Sequence, residues 1–349
     1  MKLSIVISIY NGERFVESCI LSLLKNKTSE MEIIAVDDGS SDKTLDILAE
    51  LGKKTQLKIV SIRNIGLPGS RIEGLLAASG DYIYFMDVDD TLSTDFFVDI
   101  PRELECNHPD IVLFGAQRVF SDNRKPVKID NNIAPGIYDR RGIAKDIIPN
   151  FFCTPDLYGK RNIITNVWAK VFKRDLLLSS LHHLKGRRII VGEDLAISLS
   201  AALNAESISV LPYKAYYNYL TNSASIMNTY KRDMKEDTSW LCSYLESLSK
   251  NSECIKGVQR ERAFFATSTY YNEFFFKNTR TKRDKESVID SLCSDSQLAL
   301  AIKNLEMRKV GFPNNILLKL FLRKKKKTLM ALGTLIKALR PLLARFILT

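Results

Sequence analysis

Short apolar runs alternate with more polar, helix-like segments along the first ninety residues of the chain. The runs are rich in β-branched and aromatic side chains, which predicts strands, and the first two are predicted to be buried within the sheet. These predicted strands are 3–9, 32–36, 57–62 and 82–86. The predicted helices between them are 13–26, 41–51 and 69–79. This alternation favours right-handed crossover units and a mainly parallel sheet flanked by helices.

Acidic residues follow two of these predicted strands. Asp37 and Asp38 come after the second strand, and Asp87, Asp89 and Asp90 come after the fourth. Because ligands of open parallel sheets bind at the carboxyl ends of strands, we expect both clusters at one sheet edge. Asp87 and Asp89 could share Mg²⁺ or Mn²⁺, whose shell is commonly completed by substrate phosphates. Taken alone, this pattern also fits an exposed acidic turn whose last residues cap a helix.

Beyond residue 95 the pattern is mixed. It predicts a strand over 111–114, a loop over 121–135, and a strand or helix start within 162–180 that leads into a helix. A further helix is predicted over 195–204, directly after the sequence Gly-Glu-Asp at 192–194. We expect these elements to complete the same α/β domain.

The positive charge of the chain is concentrated at its C-terminal end. The 349 residues have a net charge of +11, and residues 307–349 contain Lys and Arg but neither Asp nor Glu. The rest of the chain is therefore close to neutral. A local excess of this kind favours an anionic membrane surface over nucleic acid, which would require basic residues across the fold.

Three regions follow from these patterns: an α/β domain over 1–225, a helical extension over 226–315 and a basic amphipathic tail over 316–349. The tail resembles a helix that lies in a membrane interface. A spanning helix is disfavoured because charges interrupt the apolar run and Pro341 would kink it. The alternative is a helix that packs on the protein with a solvated basic face. The basic residues on one side of the wheel are Lys319, Arg323, Lys326, Lys327, Lys337, Arg340 and Arg345.

Composition narrows the class of protein further. With 45% apolar and 26% charged residues, the chain has the composition of a soluble globular protein. Its six cysteines form no C-x-x-C pair, which disfavours a zinc site or a redox dithiol. The first residues lack the long apolar stretch and small-residue cleavage site of a signal peptide. We therefore expect a cytoplasmic protein, peripheral on the inner face of the membrane.

Four turns occur in the order and spacing of a known pattern. They contain Ser8-Ile9-Tyr10-Asn11, Asp37-Asp38-Gly39-Ser40-Ser41-Asp42, Asn64-Ile65-Gly66 through Ser70-Arg71-Ile72-Glu73-Gly74, and Asp87-Val88-Asp89-Asp90. As a set they resemble the family 2 glycosyltransferases, and the resemblance covers about residues 1–225. Ser8 replaces the family's usual proline, and Ser70 and Ile72 replace the usual Ala and Asn. The resemblance implies the GT-A fold, a Rossmann-like, mainly parallel sheet flanked by helices.

The resemblance also implies roles on the donor side. Tyr10 would pack beside the base of the nucleotide, Asp38 would accept a hydrogen bond from uracil, and Arg71 would lie near the diphosphate or base. Ser8 and Val88 belong to the same donor-binding turns, and Asp87 and Asp89 would hold the metal ion. Each position has an ordinary alternative, such as an Asx-turn for an isolated aspartate or a solvated helix arginine for Arg71.

A second pair of carboxylates, Glu193 and Asp194, resembles the family's E-D motif. By that resemblance Asp194 is the general base that an inverting transferase needs to take a proton from the acceptor hydroxyl. Glu193 would lie on the acceptor side. The alternative is an acidic helix start that is stabilised by the helix dipole.

Two later segments resemble the family less closely. Residues 166–174 match a common W-x-K-x-[FY]-[KR] segment on the acceptor side, in which Trp168 is either a sugar-stacking face or a core side chain. Residues 217–226 resemble a segment that usually contains Arg or His before N-S-x-S. Here Leu220 and Thr221 occupy those places, so a phosphate contact from this loop is disfavoured.

The sequence thus favours an inverting transferase that moves a sugar from a nucleotide donor, UDP-sugar in the first instance, to a glycan or lipid-linked acceptor. Similar bacterial enzymes build O-antigen, capsule or lipooligosaccharide. A nicotinamide-dependent oxidoreductase is disfavoured because Tyr10-Asn11-Gly12-Glu13 stands where G-x-G-x-x-G is required. The remaining alternative is a non-catalytic glycan-binding or membrane scaffold of the same fold, which would be expected to lack the carboxylates at 87, 89 and 194.

Overall fold

The computed structural model describes residues 1–122, 124–181, 184, 186, 187, 189–221, 229–248 and 251–347, with side chains up to residue 339. Two compact units are formed. The first contains Met1–Phe151 and Asn162–Asn222, and the second contains Phe152–Arg161 and Ser223–Thr349. The predicted boundary at 225 and the N-S-x-S segment lie outside the described residues, as do the side chains of Arg340, Pro341 and Arg345.

Twelve strands are described in the first unit. They are β1 (Leu3–Ile9), β2 (Met31–Asp37), β3 (Leu57–Ser61), β4 (Tyr82–Asp87), β5 (Thr91–Leu92), β6 (Ile111–Leu113), β7 (Ala116–Val119), β8 (Val127–Ile129), β9 (Gly136–Asp139), β10 (Lys170–Lys173), β11 (Ser207–Val210) and β12 (Tyr217–Leu220). Its helices are α1 (Val16–Asn26), α2 (Thr44–Lys54), α3 (Leu67–Ala77), α4 (Phe96–Asn107), α5 (Arg140–Gly142), α6 (Arg174–Leu181) and α7 (Glu193–Asn204).

Eight strands form the main sheet, in the order β3-β2-β1-β4-β10-β6-β11-β9. The first four are parallel, as the alternating pattern predicts, and β10 is antiparallel to both of its neighbours. Because β1 pairs in register with β2 and β4, Ser8 lies opposite Val36 and Asp87. The carboxyl ends of these strands therefore share one edge. A second sheet has the order β5-β12-β7-β8.

Local predictions differ from the structure at the starts of α1 and α2, which each begin three residues later than predicted, and within the predicted loop 121–135. Helix α2 begins at Thr44 instead of 41, because the preceding backbone is bound to the turn after β1: Ser41 N donates to Asn11 Oδ1 at 2.8 Å and Lys43 N to Glu13 Oε2 at 3.1 Å. The predicted loop over 121–135 contains the strand β8. The strand β8 could not be predicted from the sequence, because an edge strand with exposed side chains has little apolar periodicity.

The second unit is helical. Its helices are α8 (Met234–Leu248), α9 (Ser252–Phe275), α10 (Lys282–Ser294), α11 (Ser296–Asn304), α12 (Asn314–Leu322) and α13 (Lys326–Ile347). The long α9 is central, and the segment 152–161 packs on it. A Cβ atom at Gly257 would lie 2.3 Å from the Phe152 ring, so this close approach requires glycine.

The start of the predicted tail belongs to the core of this second unit. Leu317, Leu318, Phe321 and Leu329 are fully buried. The Tyr270 hydroxyl donates to the carbonyl oxygen of Leu329 at 2.8 Å. The compact units therefore group 316–349 with the preceding helices, because apolar side chains of α12 and of the first half of α13 fill the core. Within the described part of the chain, every helix is too short or too polar to cross a membrane.

Candidate active site

The turns after β1 and β2 are bound to one another at the edge of the sheet. Asn11 N donates to Ser40 Oγ at 2.9 Å, and Gly12 N donates to Thr44 Oγ1 at 2.8 Å. The Tyr10 side chain projects from this edge and is 55% exposed. Its position leaves a flat aromatic face available to a ligand.

Asp38 organises the loop that leads into α3. Its carboxylate is buried and accepts the backbone N–H groups of Ile65 at 2.8 Å and Gly66 at 2.9 Å. Gly66 has a φ of 85°, a conformation that favours glycine, and α3 begins at the next residue. Each carboxylate oxygen still has a lone pair for a further donor. Asp38 therefore places the helix that carries Arg71.

Arg71 is the centre of a buried charge cluster. Only 4% of its side chain is exposed. Its Nη1 donates to Asp194 Oδ1 at 2.7 Å and lies 3.8 Å from Glu193 Oε1, while its Nη2 lies 3.5 Å from Asp87 Oδ1. The fold thus brings together four of the predicted site residues, which are separated by up to 123 positions in sequence.

One guanidinium faces three carboxyl groups, so the cluster has an excess of acid. Burial raises the pKa of Asp87 to about 6, against the Arg71 charge and with help from Asp194 and Asp89. Burial and the neighbouring Asp194 raise the pKa of Glu193 to about 8. Burial also raises the pKa of Asp89. A cation or a positively charged group of a ligand would relieve this excess.

The last residue of the D-x-D-D turn has a different task. Asp90 is buried, and its carboxylate accepts hydrogen bonds from the Tyr217 hydroxyl and from Leu220 N, the latter at 2.7 Å. Burial raises its pKa to about 8. Asp90 therefore joins the turn after β4 to β12. Val88, between the two predicted metal ligands, is half-buried and packs against the core.

Ser8 and Trp168 differ in what they offer to a ligand. Ser8 Oγ is buried and has no hydrogen-bond partner among the described residues, so it could bind a polar ligand atom at the strand edge. Trp168 is only 5% exposed and stacks on Tyr217, with ring centroids 4.5 Å apart and planes 3° apart. Its indole is thus a core side chain, the alternative that the sequence left open.

Two residues near Asp194 were given no role by the sequence, although both lie in the matched segment 166–174. Asn166 Nδ2 donates to Asp194 Oδ2 at 3.1 Å, and Lys170 Nζ donates to the Asn166 carbonyl oxygen at 2.8 Å. Lys170 is fully buried, and burial lowers its pKa to about 7 although Asp194 acts to raise it. The available signal was a lysine between apolar residues on a short strand, which is unusual unless its charge is bound.

The residues present fit a divalent cation. Among the described residues, no group of three or more His, Cys, Asp or Glu side chains could hold a metal ion by itself. Two carboxylates at a strand end suit Mg²⁺ or Mn²⁺ when phosphate oxygens supply other ligands. The acid excess around Arg71 has the charge that such an ion would complement. If such an ion binds here, Asp87 and Asp89 would be its protein ligands.

Comparison with known proteins agrees with the motifs. Residues 4–167 match the model described as glycosyl transferase family 2. The uncharacterized glycosyltransferase EpsJ of Bacillus subtilis is 32% identical over 235 residues, which cover 67% of this chain and 65% of that protein. The poly(ribitol-phosphate) beta-N-acetylglucosaminyltransferase TarS of Staphylococcus aureus is 28% identical over 221 residues, which cover 62% of this chain and 35% of TarS. The chain therefore spans between a third and two thirds of these relatives.

Solved structures show the same fold. A crystal structure of S. aureus TarS residues 1–349 in complex with UDP-GlcNAc matches with a TM-score of 0.65 and 20% identity, covering 97% of this chain and 91% of that one. The corresponding crystal structure of TarS 1–349 without a named ligand has a TM-score of 0.60. The predicted GT-A fold with a helical C-terminal region is thereby confirmed.

Proposed function

Because the chain belongs to glycosyl transferase family 2, we propose that it is an inverting glycosyltransferase that uses a nucleoside-diphosphate sugar, with UDP-sugar as the donor. The observation that carries this proposal is the meeting of Arg71, Asp87, Glu193 and Asp194 around one buried guanidinium. The UDP-GlcNAc named with the TarS structure supports a uridine donor.

The donor side consists of the turns after β1, β2 and β4. Tyr10 presents a ring to the base, and Asp38 has lone pairs left for a uracil N–H. Ser8 Oγ offers a hydroxyl group without a partner among the described residues. Asp87 and Asp89 are the residues that would hold Mn²⁺ or Mg²⁺. When bound, such an ion offsets the negative charge that develops on the leaving diphosphate.

Asp194 is the general base. Its carboxylate takes the proton of the acceptor hydroxyl as that oxygen forms a bond to the anomeric carbon. The bond from this carbon to the diphosphate oxygen breaks on the opposite face, so the anomeric configuration inverts. Arg71 fixes one oxygen of the base and lies beside Asp87, which couples the base to the donor side.

We further propose a glycan or lipid-linked acceptor in O-antigen, capsule or lipooligosaccharide synthesis. The presence of Asp87 and Asp194 in the Arg71 cluster, with Asp89 in the turn that follows Asp87, favours this transferase over a non-catalytic scaffold of the same fold. The name of TarS, which refers to poly(ribitol-phosphate), supports a polymer acceptor.

The experiment is titration calorimetry with UDP in Mn²⁺ and in EDTA, together with a panel of sugar nucleotides tested for metal-dependent hydrolysis. We expect UDP to bind in Mn²⁺ and to bind at least about tenfold more weakly in EDTA or in Asp89→Ala. Asp46→Ala, an exposed aspartate in the first turn of α2, is the matched control. Binding that is insensitive to EDTA and to Asp89→Ala would remove the metal role, and absence of hydrolysis with every donor would favour the scaffold.

For the location of the protein, we propose that basic C-terminal helices hold it on the inner face of the membrane. Phe312, which precedes α12, is 70% exposed. Ile316 and Lys319 lie together on one exposed side of α12. Exposed apolar and basic side chains together favour an anionic interface. We expect phosphatidylglycerol vesicles to sediment the protein at low salt only, and Phe312→Ser to weaken this more than Leu300→Ser, an exposed leucine on α11. Equal sedimentation with phosphatidylcholine vesicles would contradict the proposal.

A further inference from the structure

Three successive backbone carbonyl groups next to Asp194 are held by side chains. Lys170 Nζ on β10 donates to the carbonyl oxygens of Ile164 and Asn166. Ser198 Oγ on α7 donates to the carbonyl oxygen of Thr165 at 2.7 Å. A segment without regular structure is thus bound at every residue from two different elements.

The donors in this arrangement are buried. Lys170 and Ser198 are each at most 1% exposed. Burial of an ammonium group has a large desolvation free energy. Fixing three loop residues by binding such a group to their carbonyl oxygens is therefore less favourable than ordinary apolar packing. An apolar side chain on β10 would pack in the same core at lower cost. The lysine at this position therefore indicates that the backbone of residues 164–166 must be held in one place.

The position of the loop decides where the Asn166 amide lies. Asn166 Nδ2 donates to Asp194 Oδ2 at 3.1 Å, while Arg71 holds the other oxygen, Oδ1, at 2.7 Å. Asp194 and Ser198 lie four residues apart on α7, so one helix face contacts both the Asn166 side chain and the preceding carbonyl. The carboxylate is fixed from both sides.

We infer that Asn166, Lys170 and Ser198 are positioning residues that orient the Asp194 carboxylate for proton transfer from the acceptor. The inference rests on the proposed function, in which Asp194 is the base. Lys170 and Ser198 fix the loop, the loop fixes the Asn166 amide, and the amide fixes the plane of the carboxylate. Misplacement of a reacting group by about 1 Å can lower a rate about a hundredfold.

The test is a double-mutant cycle on transfer rate. Asn166→Ala, Asp194→Asn and the double variant are compared with the unmodified protein at saturating donor. We expect Asn166→Ala to lower kcat at least about tenfold, with the donor KM and the UDP affinity unchanged within twofold. In the Asp194→Asn background, Asn166→Ala should have no further effect on kcat, because the group on which it acts is gone.

Lys170→Met is tested in parallel because it removes both carbonyl contacts but keeps an aliphatic chain. We expect the same kcat loss, with Lys58→Met as the matched control, since Lys58 lies on β3, is exposed and donates to the carbonyl oxygen of Ala77 at 2.5 Å. Should Lys170→Met fail to fold, the Asn166 cycle decides alone.

Two failures can be distinguished. If Asp194→Asn retains most of its turnover, the proposed base is wrong. If Asp194→Asn loses turnover but Asn166→Ala keeps it, or if Asn166→Ala lowers kcat equally in both backgrounds, the positioning role is wrong.

Discussion

Two arginines, the buried Arg71 in the first compact unit and the partly buried Arg161 in the second, meet carboxylates in opposite ways. Arg161 faces a single carboxylate, that of Glu261, with Nε at 3.1 Å from one oxygen and Nη2 at 2.6 Å from the other. Glu261 is fully buried and also accepts the backbone N–H of Cys153 at 2.6 Å. Arg71 in the first unit faces three carboxyl groups and pairs closely with only one of them.

The difference separates a structural ion pair from a site that is prepared for a ligand. The Arg161 pair is balanced in charge and joins the segment 152–161 to α9, so nothing further is needed to satisfy it. The Arg71 cluster has surplus acid, which raises the pKa values of Asp87 and Glu193. Perturbed carboxyl groups of this kind are typical of sites that bind or react.

The largest expected effect comes from the acidic side of the Arg71 cluster. Asp194→Asn should lower the transfer rate by about 10²–10⁴-fold because a general base contributes that much. UDP affinity should stay nearly constant, as measured by calorimetry. Asp175→Asn, the same change at the exposed start of α6, is the control and should keep full activity. Comparable losses of transfer rate in both variants would show that Asp194 has no catalytic role and only stabilises the start of α7.

An intermediate effect is expected from the balanced pair, and on stability alone. Glu261→Gln leaves Arg161 without its counter-charge, which should lower the free energy of unfolding by about 3 kcal/mol, at the low end for a broken buried pair. Glu253→Gln removes an exposed pair with Lys256 on the same helix and should leave the free energy of unfolding nearly unchanged, because solvent screens such a pair. Urea unfolding monitored by circular dichroism gives both values. Similar midpoints for the two variants would show that the two pairs do not differ in kind.

The smallest expected effect is the pH dependence of the unbalanced cluster. The unfolded chain releases the Glu193 proton near pH 4.5, whereas the folded protein keeps it to about pH 8 because burial raises the pKa. The folded state therefore binds more protons between these values, and stability falls as pH rises through this window. In EDTA, Tm of the unmodified protein should therefore fall more steeply between pH 5 and pH 8 than Tm of Glu193→Gln.

Glu206→Gln is the control for this measurement, since Glu206 is exposed just after α7 and pairs with Arg140 at 2.9 Å. Its Tm profile should follow that of the unmodified protein. If Tm depends on pH equally in Glu193→Gln and in the unmodified protein, Glu193 is already ionised in the folded state and the cluster does not retain its proton.

Much of the first unit could be predicted from local pattern. The parallel strands β1, β2, β3 and β4 lie within a residue or two of their predicted positions. For β1, β2 and β4 this is because strands that are buried on both faces are continuously apolar. The meeting of both acidic clusters at one edge followed from parallel pairing. The strand β8 was missed, since an exposed edge strand is held by backbone hydrogen bonds that leave no side-chain pattern.

The sequence by itself determined which residues could do chemistry and at which strand ends they lie, because apolar runs and carboxylate turns are local properties of the chain. It could not decide between a stacking and a buried Trp168, or place Lys170 and Asn166 beside Asp194. Those outcomes depend on two features of the tertiary structure. Strand β10 pairs antiparallel with β4 and β6, and α7 lies close enough to α3 for Asp194 to contact Arg71. It also left open whether α12 and the start of α13 pack or are exposed. An amphipathic stripe fits a protein surface and a membrane equally well. Whether these helices pack is therefore decided only by the apolar side chains that α9 presents to them.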